Sequence, residues 1–171
     1  MMLQPIDIAQ LIQASAGALR AEVEALPEAL LRFQPGPREW CVKEVVGHLI
    51  EAERRGFAGR IRLLLAAEAE PALETWDPDE VARARRDAER DAKELLTELG
   101  ALRGASVELV AGLQPRDFRR AGTHPKVGRL TIGDIAHEWV HHDRNHLAQI
   151  MANVQAYVWP SMGAAQKFSS A

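Results

Sequence analysis

The chain has 171 residues, 47% of them apolar and 26% charged, with a formal net charge of -3, which suits one domain with a buried core and excludes disorder as the main state. The slight acidity offers phosphate backbones no bulk attraction, so nucleic acid is not expected as a partner. The single cysteine, Cys41, rules out an intramolecular disulfide or a thiolate-built zinc site within one chain. No apolar run approaches the roughly 20 residues that span a bilayer. The start MMLQPIDIAQL lacks the pattern of a secretory signal, so no membrane partner and a soluble, cytoplasmic protein are expected.

The pattern is helical almost throughout, rich in Ala, Leu, Glu and Arg and without period-two alternation. The first segment runs from about Ile6 to Leu26, with Ile8, Leu11, Ile12, Ala16, Leu19, Val23 and Leu26 at helical spacing and Pro27 at its end. A Pro-marked loop, FQPGPREW, leads into a second segment from about Cys41 to Ala67. The third starts near Pro78 and continues to about Leu113, with Gly100 and Gly104 as candidate kinks. A long loop follows, 114–130, of a size usually found covering something. The fourth segment runs from about Ile132 to Tyr157. Thr131 and Asp134 before it form a variant capping box. Four such segments with long crossings describe an all-α four-helix bundle.

Four of the six histidines fall in the stretch HEWVHHDRNH. Two residues four apart on a helix point the same way, offset by about 40° and about 6 Å. With His142 at zero and about 100° per residue, Ile132, Ile135, Trp139, His146, Ile150 and Tyr157 fall within roughly 80° of it. Glu138, Asn145, Gln149 and Asn153 share that side. His142 and His146 are therefore read as inward, His137 and His141 as solvated, and Asp143 as a surface charge. On the second segment His48 shares a side with Val45, Ala52, Gly59, Leu63 and Ala66. An inward histidine can be a core residue bonded to a carbonyl or carboxylate. Three from two facing helices can instead hold a divalent metal and leave a position open for water or substrate. A di-iron site is disfavoured: Glu138-Trp-Val-His141 is the chain's only Glu-x-x-His, and that chemistry needs two.

The run Trp40-Cys-Val-Lys-Glu-Val-Val-Gly-His48 resembles the W-(S/T)-x-x-E-(I/V)-x-x-H entry of the second helix in the DinB/YfiT-like superfamily. His142-Asp-Arg-Asn-His146-Leu-Ala-Gln-Ile150 resembles the family's H-x-x-x-H-x-x-Q-I run, and Gly122–Thr131 is similar to the segment before it. The resemblance spans nearly the whole chain. It implies one bundle domain over 1–160 with up-down-down-up topology, a frayed tail over 161–171, and often a homodimer. It also implies a metal held by His48, His142 and His146, with zinc as first choice and nickel, iron or manganese as alternatives. Described members include transferases or isomerases using low-molecular-weight thiols, and metal-dependent hydrolases. Cys41 departs from the usual Ser or Thr and is a poor helix cap.

Two chemistries follow: a thiol S-transferase that stabilises a thiolate, or a hydrolase acting through activated water. Glu138 is the candidate base or hydrogen-bond partner of a ligand ring, and Gln149 a candidate partner of the same kind. His124 and the 114–130 loop are open as additions to the site. Of Arg54, Arg55, Arg60 and Arg62, only Arg55 and Arg62 share the side of His48. The competing class is a non-catalytic, stress-associated dimeric bundle that binds metal without turnover.

Overall fold

Helical spacing becomes helix wherever one face can be buried. In a computed structural model describing residues 3–169, α1 covers Pro5–Glu24 and buries Ile8, Ile12, Ser15, Leu19 and Val23, three or four residues apart. A short α2, Glu28–Leu31, precedes α3, Val42–Glu51. A π-helical turn at Ala52–Gly56 joins α3 to α4, Ala58–Ala66. Next come α5, Pro78–Arg85, a 3-10 turn at Asp87–Glu89, and α6, Ala92–Ala111. The last long helix is α7, Ile132–Val158. Thr131 caps it by accepting the Asp134 N–H at 3.0 Å, while the Asp134 carboxylate takes the Thr131 N–H at 2.9 Å. A 3-10 segment, Trp159–Ala165, and α8, Gln166–Ser169, continue beyond it with no buried residue. The last two residues of the expected frayed tail lie outside the described residues.

Helices α1 and α7 run in one direction, α3–α4 and α6 in the other. Ser15 lies against Arg144, and Pro5 lines a pocket with Gly133, so α1 and α7 are parallel. Asn153 donates to the Trp40 carbonyl at one end while Phe57 stacks on Trp139 further along, so α3–α4 opposes α7. Arg20 sits by Gly100 and the Ile12 carbonyl accepts from Arg103, so α6 opposes α1. The order is up-down-down-up, with α1 and α3 each packed on α6 and α7.

Three expectations about elements are corrected. The second segment is not one continuous α-helix: Phe57 N–H donates to the Ala52 carbonyl at 2.7 Å, a five-residue step that inserts one residue into the turn. Everything after it is rotated by about 100° from the extrapolated phase. Leu63 and Ala66 are therefore exposed, and Ile61 and Leu64 fill the core instead. The third segment breaks earlier than its glycines: Arg86 turns left-handed at φ 54° after α5, and α6 passes through Gly100 and Gly104 unbroken. The 114–130 loop contains an antiparallel hairpin, β1 Ala121–His124 and β2 Gly128–Thr131. Its β1 edge also pairs with the chain at Ala72. Gly128 supplies the φ of 78° at the turn. A Cβ on Gly122 would come within 2.7 Å of the Pro71 carbonyl.

The core is two apolar clusters. One gathers Ile8, Ile12, Ile61, Leu64, Val110, Ile132, Ile135 and Trp139; the other gathers Leu19, Val23, Val45, Leu49, Ile50, Leu95, Leu99 and Ile150. In chain position the breaks fall at Ser15, Glu53, Arg103 with Ser106, and Asp143. These are buried polar residues, contributed by α1, the π turn, α6 and α7.

Candidate metal centre

The His48 ring comes from α3, and those of His142 and His146 from α7. The antiparallel crossing of these helices brings the rings together. His48 Nε2 lies 3.1 Å from His142 Nε2, which lies 3.2 Å from His146 Nε2. A tetrahedral zinc with Zn–N near 2.0–2.1 Å would space its nitrogens by about 3.3 Å. Two of the three spacings match that value and all three nitrogens lie within 4.8 Å of one another, so the set is compatible with one small divalent cation. A hydrogen-bonded network fits less well, because His142 Nε2 can carry only one proton between two neighbours. It is the sole cluster of metal-ligating side chains of this kind among the described residues.

The rings are neutral. Burial, reinforced by His146, pulls His48 down to about 3. Burial, then His146, His48 and Arg103, pulls His142 down to about 3. His146 is lowered as well, by burial, against the opposing bond from Gln149. Neutral imidazole is the form that offers a lone pair to a metal.

What orients each ring differs. His146 Nδ1–H donates to Gln149 Oε1 at 2.8 Å, which leaves Nε2 with the lone pair. His48 Nδ1 and His142 Nδ1 are buried with no hydrogen-bond partner. Those two rings are held by aromatic packing. Trp40 and Trp76 lie 4.8 and 5.6 Å from His48, centroid to centroid, and Phe57 meets His142 edge-on at 4.9 Å. Trp40 also stacks over His146 at 6.3 Å. The π turn has a visible function here: it carries Phe57 onto both His142 and Trp139.

Beside the histidines lies the polar layer. Arg103, 3% exposed, donates to Glu53, to Asp143 at 2.5 and 3.2 Å, and to the Ile12 carbonyl at 2.6 Å. Ser106 gives Glu53 a further bond at 2.6 Å, and the Arg103 guanidinium lies 5.5 Å from the centre of the Trp139 ring. Burial pushes the Glu53 and Asp143 carboxyls up against the pull of Arg103.

Gln149 stands where the sequence put it, on His146. Glu138 does not: it is exposed and lies outside the histidine cluster. Asp143, expected at the surface, is buried in the polar layer. Both errors have one cause. The five apolar residues used to define the inner face of α7 centre about 60° past His142, which puts Asp143 inside that face and Glu138 at its edge. His141 is exposed, as expected. His137 is not the solvated residue expected: Nδ1–H donates to the Gly133 carbonyl at 2.7 Å, and Nε2 is buried without a partner. His124 lies on β1, outside the cluster, and accepts the Lys126 N–H at 3.3 Å. Cys41 is fully buried and its thiol is raised to about 11 by burial, so it is no nucleophile. Its weakness as a cap is met by Glu44, whose carboxylate takes the Cys41 N–H at 2.8 Å. Sequence reasoning missed Arg103, Glu53 and Phe57, and placed Arg60 off the side of His48. For Arg103 no signal was available beyond its spacing from Leu96, Leu99, Ser106 and Val110 on the buried face of α6.

Known proteins resemble this chain over most of its length. A protein of Oceanobacillus iheyensis named "Putative metal-dependent hydrolase" is 29% identical over 121 residues, 70% of this chain and 68% of its own. The Bacillus subtilis protein YfiT, with the same description, is 25% identical over 142 residues, 82% of this chain and 79% of its own. YuaE of Bacillus subtilis is 25% identical over 146 residues, 75% of this chain and 86% of its own. The solved structure of YfiT, described as a probable metal-dependent hydrolase with an unusual four-helix bundle topology, superposes with a TM-score of 0.80 at 23% identity, covering 88% of this chain and 86% of that one. The model of the DinB superfamily matches residues 11–150, and this chain belongs to that superfamily.

Proposed function

We propose that the chain is a metal-dependent hydrolase of small molecules, in which His48, His142 and His146 hold one divalent cation, zinc as first choice. The observation that carries the reading is the convergence of three Nε2 atoms from two helices at 3.1 and 3.2 Å. Such an ion, when bound, polarises a substrate oxygen and lowers the pKa of water towards about 7. The chain's own residues present three neutral rings, fix the His146 tautomer through Gln149, and hold the other two rings between Trp40, Trp76 and Phe57. The base proposed from sequence, Glu138, is dropped from this reading because it is exposed.

Hydrolysis is preferred to thiol S-transfer because two relatives are named as hydrolases and no described residue selects a thiol. The homodimer belongs to the same proposal, and sedimentation of the purified protein tests it. No described helix is long and apolar enough to cross a membrane.

The test is metal analysis of the wild type and of the H48A/H142A double variant. Both are then screened for hydrolysis of activated esters, amides and lactones, and for conjugation of small thiols to electrophiles. Stoichiometric metal and hydrolysis, both lost in the double variant, are expected. Metal retained by the double variant overturns the ligand set. Thiol conjugation without hydrolysis overturns the reaction, and bound metal with neither activity supports the non-catalytic bundle.

A further inference from the structure

The polar surface around the π turn is largely a set of matched charges. Glu51 takes Arg54, Arg55 and Arg85; Asp87 takes Arg85 and Arg90; Glu98 takes Arg54 and Arg90. Arg60 is on the next helix, half-buried, and makes no ion pair with any described carboxylate. One terminal nitrogen donates to the Glu74 backbone carbonyl at 2.9 Å, and its Nε–H is buried with no partner. A shielded guanidinium left unpaired costs free energy that a carboxylate would recover, and burial draws its pKa below the ordinary value.

Arg60 lines a cleft of ≈ 440 Å³ together with Arg55, Leu63, Glu74 and Trp76. The Arg55 guanidinium lies 5.4 Å from the centre of the Trp76 ring. Trp76 also reaches the metal centre, its ring 5.6 Å from that of His48. One aromatic side chain is thus shared by the histidine cluster and a cleft bearing two cations. The inserted residue of the π turn produces this placement. It moves Arg60 into the phase that Gly59 would hold on an uninterrupted helix, the side of His48, so the cleft could not be read from regular spacing.

We propose that this cleft is the anion subsite of the enzyme. It binds an oxyanion group of the substrate, a carboxylate or a phosphate, through Arg60 with Arg55 beside it, while Trp76 packs on the body of the molecule and directs it to the histidines. The proposal deepens the hydrolase reading and rests on it for the word substrate. The subsite itself is a binding property that does not require turnover. The fork of a guanidinium suits either oxyanion, and Trp76 suits a flat or apolar linker.

The test is calorimetric titration of the full-length protein, zinc-loaded and metal-stripped, with succinate, inorganic phosphate and the neutral diester dimethyl succinate. Wild type, R60M, R60K and the exposed control R62M are compared. Because phosphate and succinate can ligate zinc directly, the stripped protein isolates the cleft. At least one of the two anions is expected to bind the stripped wild type, and the diester is not. R60M should weaken that anion by about tenfold or more, R60K should keep part of it, and R62M should change it by less than about twofold. The preferred anion identifies carboxylate or phosphate as the group recognised. Failure of both anions to bind the stripped wild type, or R60M behaving like R62M, overturns the subsite. Thermal melts of each variant show whether R60M remains folded, and R60K supplies the comparison if it does not. Because the readout is binding, an enzyme that proves not to be a hydrolase leaves this result standing, and a hydrolase with no anion binding in the cleft removes only this proposal.

Discussion

Two polar clusters sit side by side inside the bundle, and they solve the burial problem in opposite ways. Around Arg103 the donors and acceptors close on one another: guanidinium to Glu53 and Asp143, Ser106 to Glu53, and the remaining donation to the Ile12 carbonyl. Around His142 they do not. Three ligand nitrogens lie within 4.8 Å of one another, and two Nδ1 atoms have no partner. A buried polar group without a partner costs about 1–3 kcal/mol. The first cluster is complete as protein; the second leaves Nε2 lone pairs that the proposed cation would take, and Nδ1–H groups of His48 and His142 that it would not. Internal satisfaction thus distinguishes a structural polar core from a ligand site when burial alone does not.

The comparison breaks most visibly at Arg103. R103M leaves two buried carboxyls facing each other without a cation, so urea unfolding should show a loss of about 3–5 kcal/mol in metal-free and metal-loaded protein alike. A loss confined to the loaded protein would mean that the two clusters are one unit. On the other side, Q149A removes the acceptor that holds His146 and should weaken zinc by about 10- to 100-fold in competition with a chromophoric chelator, with little change in the stability of the metal-free chain. Equal affinity would show that aromatic packing orients His146 as it does His48.

Smaller effects sharpen the contrast with the outer ion network. Bonds and charges from Arg54, Arg85 and Arg55 outweigh burial and hold Glu51 below the ordinary value of 4.5. Its folded-state pKa is depressed, so its contribution is present above about 4.5 and fades as pH falls through and below that value. E51Q should therefore cost about 1–2 kcal/mol at pH 7. The gap to wild type should narrow in melts between about pH 5 and about pH 3. A gap that widens on acidification would refute the sign. At the entrance to α7, T131A removes the cap and should cost about 1 kcal/mol with zinc affinity unchanged. Lost affinity would show that fraying of the first turns reaches His142.

How much of this was legible in the sequence differs residue by residue. The α7 boundary could be read because Thr131 and Asp134 are a local cap. His142 and His146 could be paired because four residues on one helix is a local relation, and Gln149 followed from the same turn arithmetic. Asp143 was misplaced through the choice of origin: the apolar residues centre past His142, and measuring from their mean would have buried it. Leu63, Ala66 and Arg60 were misassigned for a different reason. The extra residue at Ala52–Gly56 breaks the periodicity, and nothing in AERRG announces a π turn. The hairpin at Ala121–Thr131 was unreadable as strand because its four-residue strands, AGTH and GRLT, carry little β propensity and draw support from pairing with each other and with Ala72.

By itself the sequence determined the helical segments, the capping of α7 and the two histidine runs, since each depends on residues a few positions apart whose relation a helix sets directly. Tertiary structure decided which polar groups meet: Arg103 with Glu53 and Asp143, His48 with His142, Trp76 with both His48 and Arg55. Those meetings depend on how four helices cross and on one inserted residue in the second. That insertion is stabilised by what it brings into contact, Phe57 on Trp139 and Glu53 on Arg103, and those partners lie on helices distant in the chain.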